Sequence, residues 1–129
     1  MDNLKELYNR NRQWQFDAGA ALPVKPPLHI SAELRHRYYQ MLSEEIKEFY
    51  ESADRVDNLD LAVDISIYAE SFAAECGYSA EQFIEAKKRV IAANEAKRFP
   101  DGTYHRNEYG KIIKPEGWQA PDLSDLFDN

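Results

Sequence analysis

Three glutamates, Glu44, Glu45 and Glu48, and two aspartates, Asp60 and Asp64, lie at or beside positions where a folding sequence should carry apolar residues. On a helix turning about 100° per residue, Leu34, Tyr38, Met41, Leu42, Ile46 and Phe49 make one apolar stripe. Glu45 falls near the middle of that stripe, with Glu48 and then Glu44 on its flank. Asp64 is embedded still more deeply by sequence, between Ala62-Val63 and Ile65-Ser66-Ile67-Tyr68. An ionised carboxylate pushed toward a core costs several kcal/mol, on the order of 3–5, unless it is paired or binds a metal. Several together repel one another and call for cations. Few bases lie nearby in sequence, so a divalent metal is the expected partner.

The spacing supports convergence. Glu44 and Glu48 stand at i and i+4, and Glu45 and Glu48 at i and i+3, so each pair shares a helical face. Asp57, Asp60 and Asp64 follow the same rule on the next helix, although Asp57 reads equally well as an N-terminal cap. If the two helices pack antiparallel through their apolar faces, both clusters meet. A ligand set made only of oxygen suits Mg²⁺ or Mn²⁺, hard cations that keep some water and favour phosphate oxygens. Against this, an EExxE run also occurs on solvated helix faces, and a buried Asp can cap a neighbouring element. A di-iron carboxylate bundle fails on ligand supply. It needs paired Glu-x-x-His motifs, and only Glu33-Leu34-Arg35-His36 has that spacing, with His36 on the polar face.

The elements that must position these acids are helical. A first helix is expected over 2–18, periodic through Leu4, Leu7, Tyr8 and Trp14. Residues 19–30 form a connection that Pro23, Pro26 and Pro27 keep extended. Ser31 is the expected N-cap of a second helix reaching about Tyr50. A third begins between Asp54 and Asp57 and ends near Gly77. Ser79 and Gln82 have capping-box spacing for a fourth, running to about Lys97. Beyond Phe99-Pro100, turn signals and short apolar pieces indicate a loop-rich arm with a small hairpin.

The fold class is therefore all-α, a four-helix bundle-like core over about 2–99 with an irregular C-terminal arm over about 100–129. The 129 residues are expected to form a single domain. With 43% hydrophobic and 30% charged residues the composition is that of a globular chain. A net charge of −7 argues against general nucleic-acid binding. No apolar run approaches the roughly 20 residues of a membrane span, and no signal peptide is expected. Cys76 is the sole cysteine, which excludes a disulfide framework and fits a reducing, cytoplasmic location.

A second group of residues has the complementary charge. Asn94, Lys97 and Arg98 close the fourth helix, and Arg106, Lys111 and Lys114 follow in the arm. Cations meeting an acidic metal site are what a polyphosphate substrate requires. The plainer reading of Lys97 and Arg98 is that cations favour a helix C-terminus. Trp118 either stacks on a base or packs the arm.

These motifs together resemble the all-α nucleotide pyrophosphohydrolases of the MazG-like and phosphoribosyl-ATP-pyrophosphohydrolase-like superfamily. The resemblance rests on Glu44-Glu45-Ile46-Lys47-Glu48, the segment around Asp60 and Asp64, Asn94-Glu95-Ala96-Lys97, Asp101-Gly102, Gly110-Lys111, Lys114-Pro115-Glu116-Gly117-Trp118 and Pro121-Asp122-Leu123. It covers roughly residues 30–123. It implies a MazG-type fold, Mg²⁺-dependent hydrolysis of a nucleoside triphosphate to monophosphate and pyrophosphate, and assembly as a homodimer or homotetramer. It assigns Glu45, Glu48, Asp60 and Asp64 to metal and Asn94, Lys97, Lys111 and Lys114 to substrate phosphates. Glu44, with Glu45 and Glu48, belongs to the catalytic set, Glu44 to orient or deprotonate water. Many members carry Glu-x-x-Asp on the second acidic helix. The Glu position here is Leu61, and Asp60, at i−4 from Asp64, is the expected substitute. The alternative is a module on the same fold that binds a nucleotide or partner without hydrolysis. Asn9, Gln13, Trp14, Phe16 and Tyr38 can each contact a base, and the sequence does not rank them.

Overall fold

The computed structural model describes residues 3–127, so the parts of the sequence expectations that fall on residues 1–2 and 128–129 lie outside it. The described residues form four α-helices, α1 (Asn3–Asp17), α2 (Ala32–Glu51), α3 (Arg55–Glu75) and α4 (Ala80–Glu95), followed by a short 3₁₀ turn, Ser124–Phe127. The all-α class expected from the sequence is the class observed. The chain divides after Ala80 into two compact units.

In the first unit α3 packs against both α1 and α2. Helix α2 starts where Ser31 accepts a hydrogen bond from the Leu34 N–H, leaving the helix through extended backbone. Helix α3 is capped by Asp54, whose carboxylate accepts from the Val56 and Asp57 N–H groups. The cap is therefore Asp54 and not Asp57, which instead faces Ser52 Oγ at 3.5 Å. Between α2 and α3, Asn58 Nδ2 donates to Ser52 O at 2.8 Å and ties the turn shut.

Helix α3 ends just before Gly77, close to the expected place, and Gly77 has φ at 93°. A Cβ there would lie 2.7 Å from the backbone of Lys25, so glycine is required both by its left-handed conformation and by close approach of the 19–30 connection. Far from the turn, the antiparallel seam of α2 and α3 is fixed by Tyr38 edge-on to Phe72, with ring centroids 5.3 Å apart, and by Arg37 Nη2 donating to Glu75 at 2.8 Å.

Two burial expectations are corrected. On α1, Tyr8 of the expected stripe is buried, together with Gln15, whereas Leu4, Leu7 and Trp14 are about half exposed or more. The face that docks is Tyr8, Asn11 and Gln15, spaced i, i+3 and i+7, and it docks through hydrogen bonds. Tyr8 Oη donates to Tyr78 O, Asn11 Nδ2 to Ser71 Oγ and Gln15 Nε2 to Ser71 O. On α2, Tyr38 alone of the stripe is fully buried, while Ile46 and Phe49 are exposed.

In the second unit, Gln82 Nε2 donates to Leu126 O. Arg89 grips Asp125 with two nitrogens, at 2.6 and 3.0 Å. The expected hairpin is a single antiparallel bridge, Arg106 to Ile112. Asn107 N–H donates to Lys111 O, and the Asn107 side chain accepts from the Tyr109 and Lys111 N–H groups.

Candidate metal and nucleotide site

The antiparallel seam brings the two acidic motifs together. Glu45 on α2 feels Glu48, Asp64, Asp60 and Glu44, and its carboxyl pKa is raised by burial first and then by these four like charges. All five expected carboxylates thus share one electrostatic neighbourhood. Their exposure differs: Glu44, Glu48 and Asp60 are exposed, and Glu45 and Asp64 are partly covered.

One atom stands out. Glu45 Oε2 is shut away from solvent and has no hydrogen-bond partner. The sequence points to Asp64 as the most embedded acid; the structure puts the orphaned buried oxygen on Glu45 instead. Both side chains are partly covered, Glu45 from α2 and Asp64 from α3.

Among the described residues, no group of three or more acids, histidines or cysteines is placed so that it could hold a metal ion. The donor set nonetheless has the right chemistry for a hard cation: carboxylate oxygens from two helices, with one buried oxygen lacking any donor. Exposed Glu48 and Asp60 carry the side-chain freedom to complete a shell. A cleft of about 560 Å³ is lined by Glu48, Glu51, Ser52, Asp57, Asp60 and Leu61. Leu61 is buried, so the position where the resembled family carries Glu faces the core and leaves Asp60 as the acid on the open side.

The sequence reading gave no role to Tyr68. Its hydroxyl pKa is raised by burial and then by Glu45, Asp64, Glu44 and Glu48, which puts the phenol beside the acids. Its i+4 spacing from Asp64 was the available signal. Of the base candidates, Tyr38 is buried, Trp14 and Phe16 are largely exposed, and Asn9 and Gln13 are exposed, with Gln13 donating to Asp17 at 2.9 Å.

In the second unit the expected phosphate ligands separate into two kinds. Lys97 and Lys114 each hold their ammonium 5.1 Å from the Trp118 ring centroid. Trp118 itself donates from its indole nitrogen to Ala93 O at 2.8 Å, so it packs the arm onto α4. Lys111 and Asn94 are exposed. Among the described residues none of Lys97, Lys111 and Lys114 forms an ion pair with a carboxylate. The arginines are structural: Arg98 donates to Gly102 O and lies over Tyr104, and Arg106 donates to Gly110 O. Asp101, with a pKa lowered to about 2, accepts from the Thr103 N–H and from His105 and shapes the same turn.

No family model matches this chain, and no curated protein matches it. No helix among the described residues is long and apolar enough to cross a membrane.

Proposed function

We propose that this chain is a Mg²⁺-dependent nucleoside triphosphate pyrophosphohydrolase, converting a (d)NTP and water to the (d)NMP and pyrophosphate. The observation that carries the reading is the unpartnered, buried Glu45 oxygen amid four further carboxylates. A fold retains such a cluster against its own repulsion when something cationic completes it. The motif resemblance names the reaction.

Glu45, Glu48, Asp60 and Asp64 would hold Mg²⁺, with Mn²⁺ as a substitute. When bound, the ion would neutralise charge on the phosphates and lower the pKa of water. The chain's own contribution is positioning and proton handling. Glu44, exposed beside the cluster, accepts a proton from the attacking water. That water oxygen bonds to the α-phosphorus, and the bond from the α-phosphorus to the oxygen bridging to the β-phosphate breaks. Pyrophosphate leaves with that oxygen, and the proton on Glu44 passes to solvent. Lys97, Lys111, Lys114 and Asn94 are the donors proposed for phosphate oxygens, the lysines having no carboxylate to neutralise them. The homodimer or homotetramer implied by the resemblance belongs to this same proposal.

The test is pyrophosphate release across the common NTPs and dNTPs with Mg²⁺ or Mn²⁺. Release from one or a few nucleotides, lost in Glu48→Ala, is the expected result. Orthophosphate release instead would overturn attack at the α-phosphorus. Silence across the panel with a metal-stabilised fold would favour a binding module.

A further inference from the structure

In the second unit the arm is laid along one line of α4. Gln82, Arg89 and Ala93 stand at i, i+7 and i+11, within about 40° of one another around the helix. All three hold the arm. Trp118 donates from its indole nitrogen to Ala93 O, Arg89 donates to Asp122 O and to the Asp125 carboxylate, and Gln82 donates to Leu126 O. The arm from Trp118 to Leu126 therefore runs antiparallel to α4. The helix residues beneath it are partly covered, whereas Lys87, Lys88, Ile91 and Ala92, off that line, are exposed.

Arg89 is the middle attachment and commits all three of its nitrogens. Beyond the two prongs on Asp125, it donates to Asp122 O at 3.0 Å and to Glu85 at 3.2 Å. The Asp125 side chain is 63% exposed, and ion pairs so open to water add little to stability. What a two-pronged pair does fix is position, since both bonds form in only one relative orientation. Upstream, Gly117 at φ 84° and the Trp118 N–H donating to Pro115 O make a turn that folds Lys114 back over the indole. Lys97 reaches the same ring from just beyond the end of α4. Each ammonium is 5.1 Å from the ring centroid, so the two lie no more than about 10 Å apart, the Debye length at 0.1 M salt. They repel each other, and the attachments of the arm to α4 hold them together.

We propose that Arg89 is a positioning residue: its grip on Asp125 and Asp122 sets the arm so that Lys114 stays beside Lys97 and the two receive one polyphosphate together. That these lysines take phosphate rests on the pyrophosphohydrolase reading; the docking of the arm by Arg89 rests on the contacts of α4 alone. Lys97 is tied to the helix end, whereas Lys114 travels with the arm. When the grip is loosened, Lys114 leaves its partner, and a bridging anion must order it again on binding. Arg89 acts through the arm and not on the ligand, because its nitrogens are already engaged. Its acidic partner gives the idea a sharp sign. Deleting Asp125 makes the chain less negative, so general attraction for an anion rises. Positioning requires the opposite, a fall in affinity.

The experiment is calorimetric titration of inorganic tripolyphosphate into the full chain without added metal. Asp125→Ala is compared with the wild type, and the same substitution is made in a Lys114→Ala background. Asp125 is exposed, and a far-ultraviolet spectrum equal to the wild type's checks that the helices persist. The expected result is binding weakened several-fold by Asp125→Ala although a negative charge is lost, with no further weakening once Lys114 is gone. Arg89→Gln should match Asp125→Ala in both backgrounds. Unchanged or tighter binding in Asp125→Ala overturns the inference, as does a loss that persists in the Lys114→Ala background, or no binding by the wild type. Because this reads binding and not turnover, it separates the two proposals. Asp125-dependent tripolyphosphate binding with no pyrophosphate release from any nucleotide keeps the positioning role and removes the reaction; pyrophosphate release with a KM that Asp125→Ala leaves unmoved does the reverse.

Discussion

Glu75 and Glu45 lie at two levels of the same α2–α3 seam, and the fold treats them in opposite ways. Glu75 has a side chain 8% exposed and is fully served: Arg37 Nη2 donates to one oxygen and the Tyr38 hydroxyl to the other. Glu45 has a buried oxygen with no donor at all and four acids for company. A carboxylate that exists to hold helices together is given its cation by the chain. One that is denied any, while more acids are gathered around it, is arranged to take a cation from solution. The first kind contributes stability, and the second costs it.

The largest effect that would break this contrast is on activity. Glu45→Gln and Asp64→Ala should each lower pyrophosphate release by at least about 10³-fold, the scale for a group acting on transition-state charge. Neither should lower the melting temperature of the metal-free chain, because each removes a repelling charge. Retained turnover in purified, Mg²⁺-saturated Asp64→Ala would remove it from the ligand set. At the other level the signs reverse. Glu75→Gln strips the partner from Arg37 and should destabilise the fold by about 1–3 kcal/mol in chemical denaturation, leaving the acid cluster intact. A stability cost at Glu45 equal to that at Glu75 would erase the distinction.

Smaller in scale, Lys97→Ala and Lys114→Ala should raise KM several-fold while the far-ultraviolet spectrum stays helical. Trp118 keeps its own bond to Ala93 O in both variants. A fall in kcat with KM unchanged would assign these lysines to the chemical step instead.

The smallest effect is on the pH dependence of stability. Glu45 holds its proton more tightly folded than unfolded, since burial and its acidic neighbours raise its pKa. As pH rises through the ordinary carboxylate range, the unfolded chain loses that proton first. The folded state then binds more protons, so Glu45 lowers stability progressively until pH passes its raised value, and the loss is constant above. Metal-free thermal melts of wild type and Glu45→Gln should therefore diverge as pH rises through that window. Parallel curves would show that the buried oxygen is not under strain from its neighbours.

Much of this arrangement is readable in the sequence because it depends on local rules. Ser31 and Gly77 mark helix ends through a side-chain cap and a left-handed backbone, both set by residue type. The i, i+3 and i+4 spacings place Glu45 with Glu48, and Asp60 with Asp64, on single faces. What the spacing does not carry is the depth of a side chain within a seam. Asp64 is flanked by apolar residues and looks the more buried, yet Asp64 and Glu45 are both partly covered, and the buried oxygen without a partner is Glu45's. The docking face of α1 is hidden for a related reason. It uses Tyr8, Asn11 and Gln15, two of them polar, and their partners Ser71 and Tyr78 are more than fifty residues away. Apolar periodicity selects Tyr8 rightly, but with it Leu4, Leu7 and Trp14, which stay exposed.

The central claim is that the acid cluster is built for a divalent cation, and a calorimetric melt with and without Mg²⁺ at constant ionic strength tests it most directly. Binding to the folded state alone must raise the melting temperature. The account predicts a rise that grows with Mg²⁺ concentration in the wild type, persists in Glu75→Gln from its lower starting point, and vanishes in Glu45→Gln. No Mg²⁺-dependent rise in the wild type, or an equal rise in Glu45→Gln, would contradict it.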